Sequence, residues 1–191
     1  KLVGDEHLLF YVSPYERTRQ TLEGLRQGVD PSRILGIREE PRMAEQQFGN
    51  FQNFEDVRIA KRDREQFGRF FYRFPQGESG LDVYNRVSGF VASLLRDLDY
   101  LRTEGRDLSR LNVVVVTHGL CLRLLLMRWF QFTVREFERS LNPQNVGFVV
   151  MERVGDQQGR EWYKISEECR KELNLPARAE NSLRSHRFAA L

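Results

Sequence analysis

The order of elements along this chain predicts a three-layer α/β/α sandwich around a mostly parallel sheet. Three observations point there. Short apolar runs of strand type alternate with helical patterns from one end of the chain to the other. Val113-Val114-Val115-Val116 places four β-branched residues in a row, the pattern of a strand buried on both faces of a parallel sheet. Two strand ends also pass directly into helix-opening sequence, at Ser13-Pro14 and at Thr117-His118-Gly119.

Leu8 to Val12 is the first strand. Ser13 as N-cap, Pro14 at the first helical position and Glu16 in the box position then open a helix that ends near Gly28. Arg33 to Arg38 gives a second strand, stopped by Pro41, and residues 42–54 read as a loop rich in Gln, Asn and Phe. Glu55 to Phe67 is a polar helix leading into the basic-aromatic run Arg69 to Phe74, which Pro75-Gln76-Gly77 breaks. Ser79, with Asp82 in the box position, caps the clearest helix, whose stripe is Tyr84, Val87, Val91, Leu94, Leu95 and Leu98. After the valine strand comes an apolar helix, Leu120 to Phe130, and a capping box at Thr133 and Glu136. Phe148 to Arg153 and Trp162 to Ile165 are two further strands around the turn-rich Gly155 to Gly159. Beyond Pro176 little pattern remains, as in a mobile or partner-bound end.

The composition narrows the function classes. The 191 residues carry 30 basic and 27 acidic side chains, 30% charged against 40% hydrophobic, the balance of an ordinary globular protein. Residues 170–191 hold five basic and two acidic residues, so they supply the whole net charge of +3 and residues 1–169 balance at zero. This divides the chain into a domain over 1–169 and a basic tail over 170–191. It also argues against a nucleic-acid partner, because Glu55, Asp56, Asp63 and Glu65 dilute the basic-aromatic run. The most apolar stretch, Leu120 to Phe130, is interrupted by Arg123 and Arg128 and is too short to span a bilayer. Cys121 and Cys169 form no disulfide framework and no zinc spacing, which suits a soluble intracellular protein, in the cytoplasm or an organelle. The three histidines are scattered, so neither a metal nor another cofactor is expected.

The chemistry concentrates at the two strand-to-helix junctions. In parallel α/β sheets ligands gather at the carboxyl ends of strands, where helix N-termini favour an anion. Arg17 lies one turn into its helix, where a guanidinium can fork onto phosphate oxygens, and His118 is the one histidine at a strand end. Taken singly, each has an ordinary structural explanation, as have Glu45 and Glu78 in their loops.

Their order and spacing, however, resemble the histidine phosphatase superfamily, also called phosphoglycerate mutase-like. The matching segments are Ser13-Pro14-Tyr15-Glu16-Arg17-Thr18-Arg19-Gln20-Thr21, Met43-Ala44-Glu45 through Gln52, Pro75-Gln76-Gly77-Glu78-Ser79 and Val116-Thr117-His118-Gly119. They span roughly residues 8–166, and the aromatic run beside Gly77-Glu78-Ser79 looks most like the broad-range acid phosphatase branch. The resemblance implies a phosphomonoesterase acting on a phosphorylated small molecule or phosphoprotein through a phosphohistidine. It makes Arg17, His118 and Gly119 phosphate ligands, His118 the second catalytic histidine and Glu45 the acid/base, with Ser13, Glu78 and Ser79 supporting. The family's nucleophile lies in an Arg-His-Gly motif on an earlier strand. Only twelve residues precede Ser13 here, without that motif, and His7 stands between Glu6 and Leu8. The sequence as it stands therefore implies an inactive chain whose first strand and nucleophile belong to a longer parent. Two alternatives are an inactive scaffold with protein partners and a phosphoglycerate mutase-type phosphoryl transfer.

Overall fold

The computed structural model describes residues 6–51, 53–155, 157 and 161–179. Three parallel strands form its sheet: β1 (His7–Val12), β2 (Ile34–Glu39) and β3 (Leu111–Val116), in the order β2-β1-β3. The helices are α1 (Glu16–Gln27), α2 (Phe54–Phe67), α3 (Gly80–Thr103), α4 (Gly119–Phe130), α5 (Val134–Arg139) and α6 (Glu167–Glu172). A separate antiparallel hairpin joins β4 (Glu152–Gly155) to β5 (Glu161–Lys164).

β1 is the middle strand, and its period-two alternation feeds two cores. Leu9 and Tyr11 join Val83, Val87 and Phe90 of α3 and Leu124 and Leu126 of α4, while Leu8, Phe10 and Val12 join Leu22 of α1. The Tyr11 ring meets Phe90 edge-on with centroids 5.2 Å apart, and its hydroxyl donates to Asp97 Oδ2 at 2.5 Å. Helices thus cover both faces, as the element order predicts. No helix among the described residues is long and apolar enough to cross a membrane.

The α3 prediction holds in detail: Ser79 and Asp82 form a reciprocal capping box and the helix runs 24 residues. Thr133 and Glu136 do the same for α5. Two expectations are corrected. Ser13 does not cap α1: the N-cap is Tyr15, with no side-chain cap bond, because the chain stays extended past Pro14. The Ser13 N–H instead donates to Val116 O at 2.9 Å, continuing the β1–β3 ladder by one residue. The valine strand packs on both faces, Val113 and Val115 against the core of α3 and α4 and Val114 and Val116 against that of α1. β3 pairs only with β1 among the described residues, so Leu111 to Val115 are half-buried where β1 is buried from Leu8 onward.

Phe148 to Met151 is not a strand. Only residues from Glu152 pair with β5, and the Phe148 side chain is exposed. Residues 169 and 170 both lie in α6, a short polar helix that Ser166 caps. Leu173, Leu175 and Ala179 beyond it are buried in the main core, and Ile165 N–H donates to Ala179 O at 2.9 Å. Of the basic tail, residues 180–191 lie outside the described residues.

Candidate active site

The parallel register Val12↔Val116 brings the carboxyl ends of β1 and β3 side by side, so Ser13 and His118 emerge as neighbours. His118 is the N-cap of α4, and its ring is 3% exposed. Its Nε2 lies 2.8 Å from Ser13 Oγ, and an Arg17 N–H donates to Nδ1 at 2.9 Å. A guanidinium has no lone pair to offer, so Nδ1 is the acceptor and the Nε2–H of the neutral ring donates to Ser13. Arg17 is exposed, but its guanidinium stacks over the Tyr15 ring at 4.6 Å, and Tyr15 meets His118 edge-on with centroids 5.0 Å apart. Burial pushes the His118 pKa down to about 4, and the Arg17 and Arg86 charges push the same way. The imidazole is therefore neutral over the physiological range.

Glu45 reaches this pair from the segment after the short 3-10 turn at Pro41–Met43, placing Oε2 3.9 Å from His118 Nδ1. Burial raises its carboxyl above the ordinary glutamate range, with Glu78 adding to the rise; the Gln46 N–H on Oε1 and the Arg17 and Arg86 charges oppose it. A half-buried carboxyl with a raised pKa beside a neutral imidazole is the composition of a proton-transfer site.

Glu78 and Ser79 do not face His118 but hold the loop that does. Glu78 donates its backbone N–H to Gln47 O at 2.8 Å, accepts the Gln47 N–H on Oε2 at 3.0 Å and pairs with Arg86. Here two backbone segments touch without room for a side chain. Gly49 sits at φ +89°, and a Cβ there would lie 2.0 Å from Pro75 O; at Gly77 it would lie 2.5 Å from Gln47 O. Gly49→Ala is therefore expected to cost about 2 kcal/mol. It should also lower activity by displacing Glu45, which urea unfolding and turnover would together check. Gly119 is less tightly enclosed, by a side chain rather than backbone: a Cβ there would lie 2.8 Å from Asn142, which covers the start of α4.

The structure thus brings Ser13, Arg17, Glu45, His118 and Gly119 together and puts Glu78 and Ser79 one layer behind. Sequence reasoning missed Tyr15, Asn142 and Arg86. The available signal for Arg86 was its position, a charged residue three along from buried Val83 and next to buried Val87 on the α3 stripe. Among the described residues the other histidine is His7, exposed at the opposite end of β1. What the cluster offers is a guanidinium, the N-terminal end of α4 and a neutral imidazole, with a protonatable carboxyl beside it. That set suits a phosphoryl group.

Comparisons with known proteins point to one family. A family model for the histidine phosphatase superfamily (branch 1) matches residues 3–181. Phosphoglycerate mutase-like protein AT74H of Arabidopsis thaliana is 55% identical over 143 residues, covering 75% of this chain and 51% of the relative. Broad-range acid phosphatase DET1 of Saccharomyces cerevisiae is 32% identical over 202 residues, covering 78% of this chain and 59% of the relative. The chain spans about half the length of the curated relatives it matches. Among solved structures, a mycobacterial glucosyl-3-phosphoglycerate phosphatase in complex with inorganic phosphate has the same fold, with a TM-score of 0.61 at 21% identity, covering 84% of this chain and 76% of that one.

Proposed function

The chain belongs to the histidine phosphatase superfamily, and from that premise we propose that the whole protein hydrolyses phosphomonoesters through a phosphohistidine. The observation that carries the reading is the convergence of Arg17 and Glu45 on one neutral imidazole at the carboxyl end of a parallel sheet.

In this scheme the phosphoryl group sits against the Arg17 guanidinium and the α4 N-terminus, which neutralise its oxygens as charge develops on them. With the dianion bound, His118 takes up a proton at Nδ1, the nitrogen that accepts from Arg17 in the free site, and donates it to those oxygens. An imidazole nitrogen attacks phosphorus, the ester P–O bond breaks, and the Glu45 carboxyl gives its proton to the departing oxygen. Water then attacks the phosphohistidine while the Glu45 carboxylate takes a proton back, so the acid is regenerated. His118 is committed to Ser13 and Arg17, so the attacking ring is a second histidine. We place it on a strand along the free edge of β3. Among the described residues that edge is half-buried and unpaired on one side, and the chain leaves it directly into His118. The substrate class is a phosphorylated small molecule or a phosphoprotein side chain.

The test is hydrolysis of p-nitrophenyl phosphate by the whole protein, with a denaturing alkaline quench to trap phosphohistidine. Turnover with an acid-labile, base-stable phosphoenzyme is expected, and Arg17→Ala should lower kcat/KM about 10²-fold. A whole protein that binds inorganic phosphate but turns over no monoester would favour a non-catalytic scaffold. Transfer to an added acceptor hydroxyl far above hydrolysis would favour a mutase.

A further inference from the structure

We propose that Arg86 is the positioning residue that holds Glu45 at the imidazole, by clamping the backbone on both sides of it. The proposal rests on Glu45 being the acid of the reaction above.

Glu45 stands on a segment with no regular structure of its own, between the 3-10 turn and the Gly49 crossing. A general acid on such a segment keeps its vector only if something fixes the backbone. Arg86 does so with most of its donors. One terminal nitrogen donates to Arg42 O at 2.6 Å and Ala44 O at 2.8 Å; the other donates to Glu45 O at 3.2 Å and Glu78 Oε2 at 3.0 Å; and Nε donates to Glu78 Oε1 at 2.9 Å. Three consecutive contacts thus fall on residues 42, 44 and 45. Glu78, held by the same guanidinium, receives the Gln47 N–H on the far side. Ala44 O is pinned a second time by the Cys121 thiol at 2.8 Å, and Met43 O by the Thr117 hydroxyl at 2.9 Å.

Arg86 rises from α3, whose Val83, Val87 and Phe90 are fully buried, so its base is as rigid as the core. Its side chain is 19% exposed and its partner Glu78 23%, which leaves little water to replace these bonds. A lysine would carry the charge but not the planar fork that reaches five acceptors. The guanidinium therefore acts on the reaction through Glu45.

A leaving-group comparison on the whole protein tests this. Phenolic esters such as p-nitrophenyl phosphate depart with little help, whereas an alkyl phosphate such as glycerol 2-phosphate needs its oxygen protonated. Glu45→Gln is expected to lower kcat/KM about 10³-fold on the alkyl ester and about 10-fold or less on the phenolic one. Arg86→Gln and Arg86→Lys should reproduce that split at about 10²-fold on the alkyl ester. They should add little to Glu45→Gln in the double variant. Inorganic phosphate inhibition should stay within about 3-fold of the parent, which reports a folded site. If Arg86→Gln fails to fold, Glu78→Gln, which loosens the same clamp, carries the comparison. Equal losses on both esters for the Arg86 variants, beside a split for Glu45→Gln, would overturn the positioning role alone. No split for Glu45→Gln would overturn the acid assignment and the Arg86 role with it.

Discussion

His118→Asn is expected to lower kcat/KM for phosphomonoester hydrolysis by the whole protein about 10³-fold, with little loss of folded protein. The fold survives because the α4 N-cap position takes no side-chain cap bond from His118, so the shorter asparagine gives up the Ser13 contact but removes nothing that starts the helix. Asparagine is also a good N-cap in its own right. Activity does not survive because an amide can neither take up a proton at the Nδ1 position nor follow the charge that develops on the phosphoryl oxygens. Arg17, whose N–H now rests on Nδ1 at 2.9 Å, would also lose its anchor. The loss should therefore fall on kcat more than on KM, and steady-state kinetics beside circular dichroism would separate the two. A variant keeping a tenth or more of the parent activity would remove His118 from the chemistry.

Local signals carried well into three dimensions and non-local ones did not. The Ser79–Asp82 box and the α3 stripe involve residues a turn or two apart, and the helix begins where they say. The same reasoning at Ser13 failed because a second use competed for its hydroxyl. Backbone pairing with Val116 keeps residue 13 extended, and the side chain turns to His118, 105 residues away. The valine run specified a strand but not its neighbours, and at the sheet edge β-branched residues remain half-buried. The site was legible where the chain announces it at strand ends, in Arg17 and His118. Glu45 was legible only by resemblance, since its loop has no periodicity. Arg86 was hidden because its partners are backbone carbonyls 41–44 residues away, and a backbone acceptor leaves no mark in a sequence.

The buried neutral imidazole also makes the fold acid-sensitive, with a sign that distinguishes it from its neighbour. His118 protonates near pH 6.5 in the unfolded chain but only at about 4 in the folded one. Between those values the unfolded state binds the extra proton, so its contribution is fully present above pH 6.5 and drains away as pH falls toward 4. The shift corresponds to at most about 3 kcal/mol. Glu45 works in the opposite direction. Its folded pKa is raised, so its contribution is present at low pH and is lost as pH rises through that folded value. The two partly cancel in the parent and are separable by substitution. Urea unfolding across this range should show His118→Asn losing the rise of stability with pH and Glu45→Gln steepening it. A dianion held by Arg17 would stabilise the His118 proton and lift its pKa. Sulfate should therefore stabilise the parent more at acidic than at neutral pH, and His118→Asn should respond alike at both. A Glu45→Gln variant whose stability is flat across this range would show that the folded imidazole titrates as in the unfolded chain, and one whose stability falls as pH rises would show that it is already charged and that the tautomer assigned from the Arg17 contact is wrong.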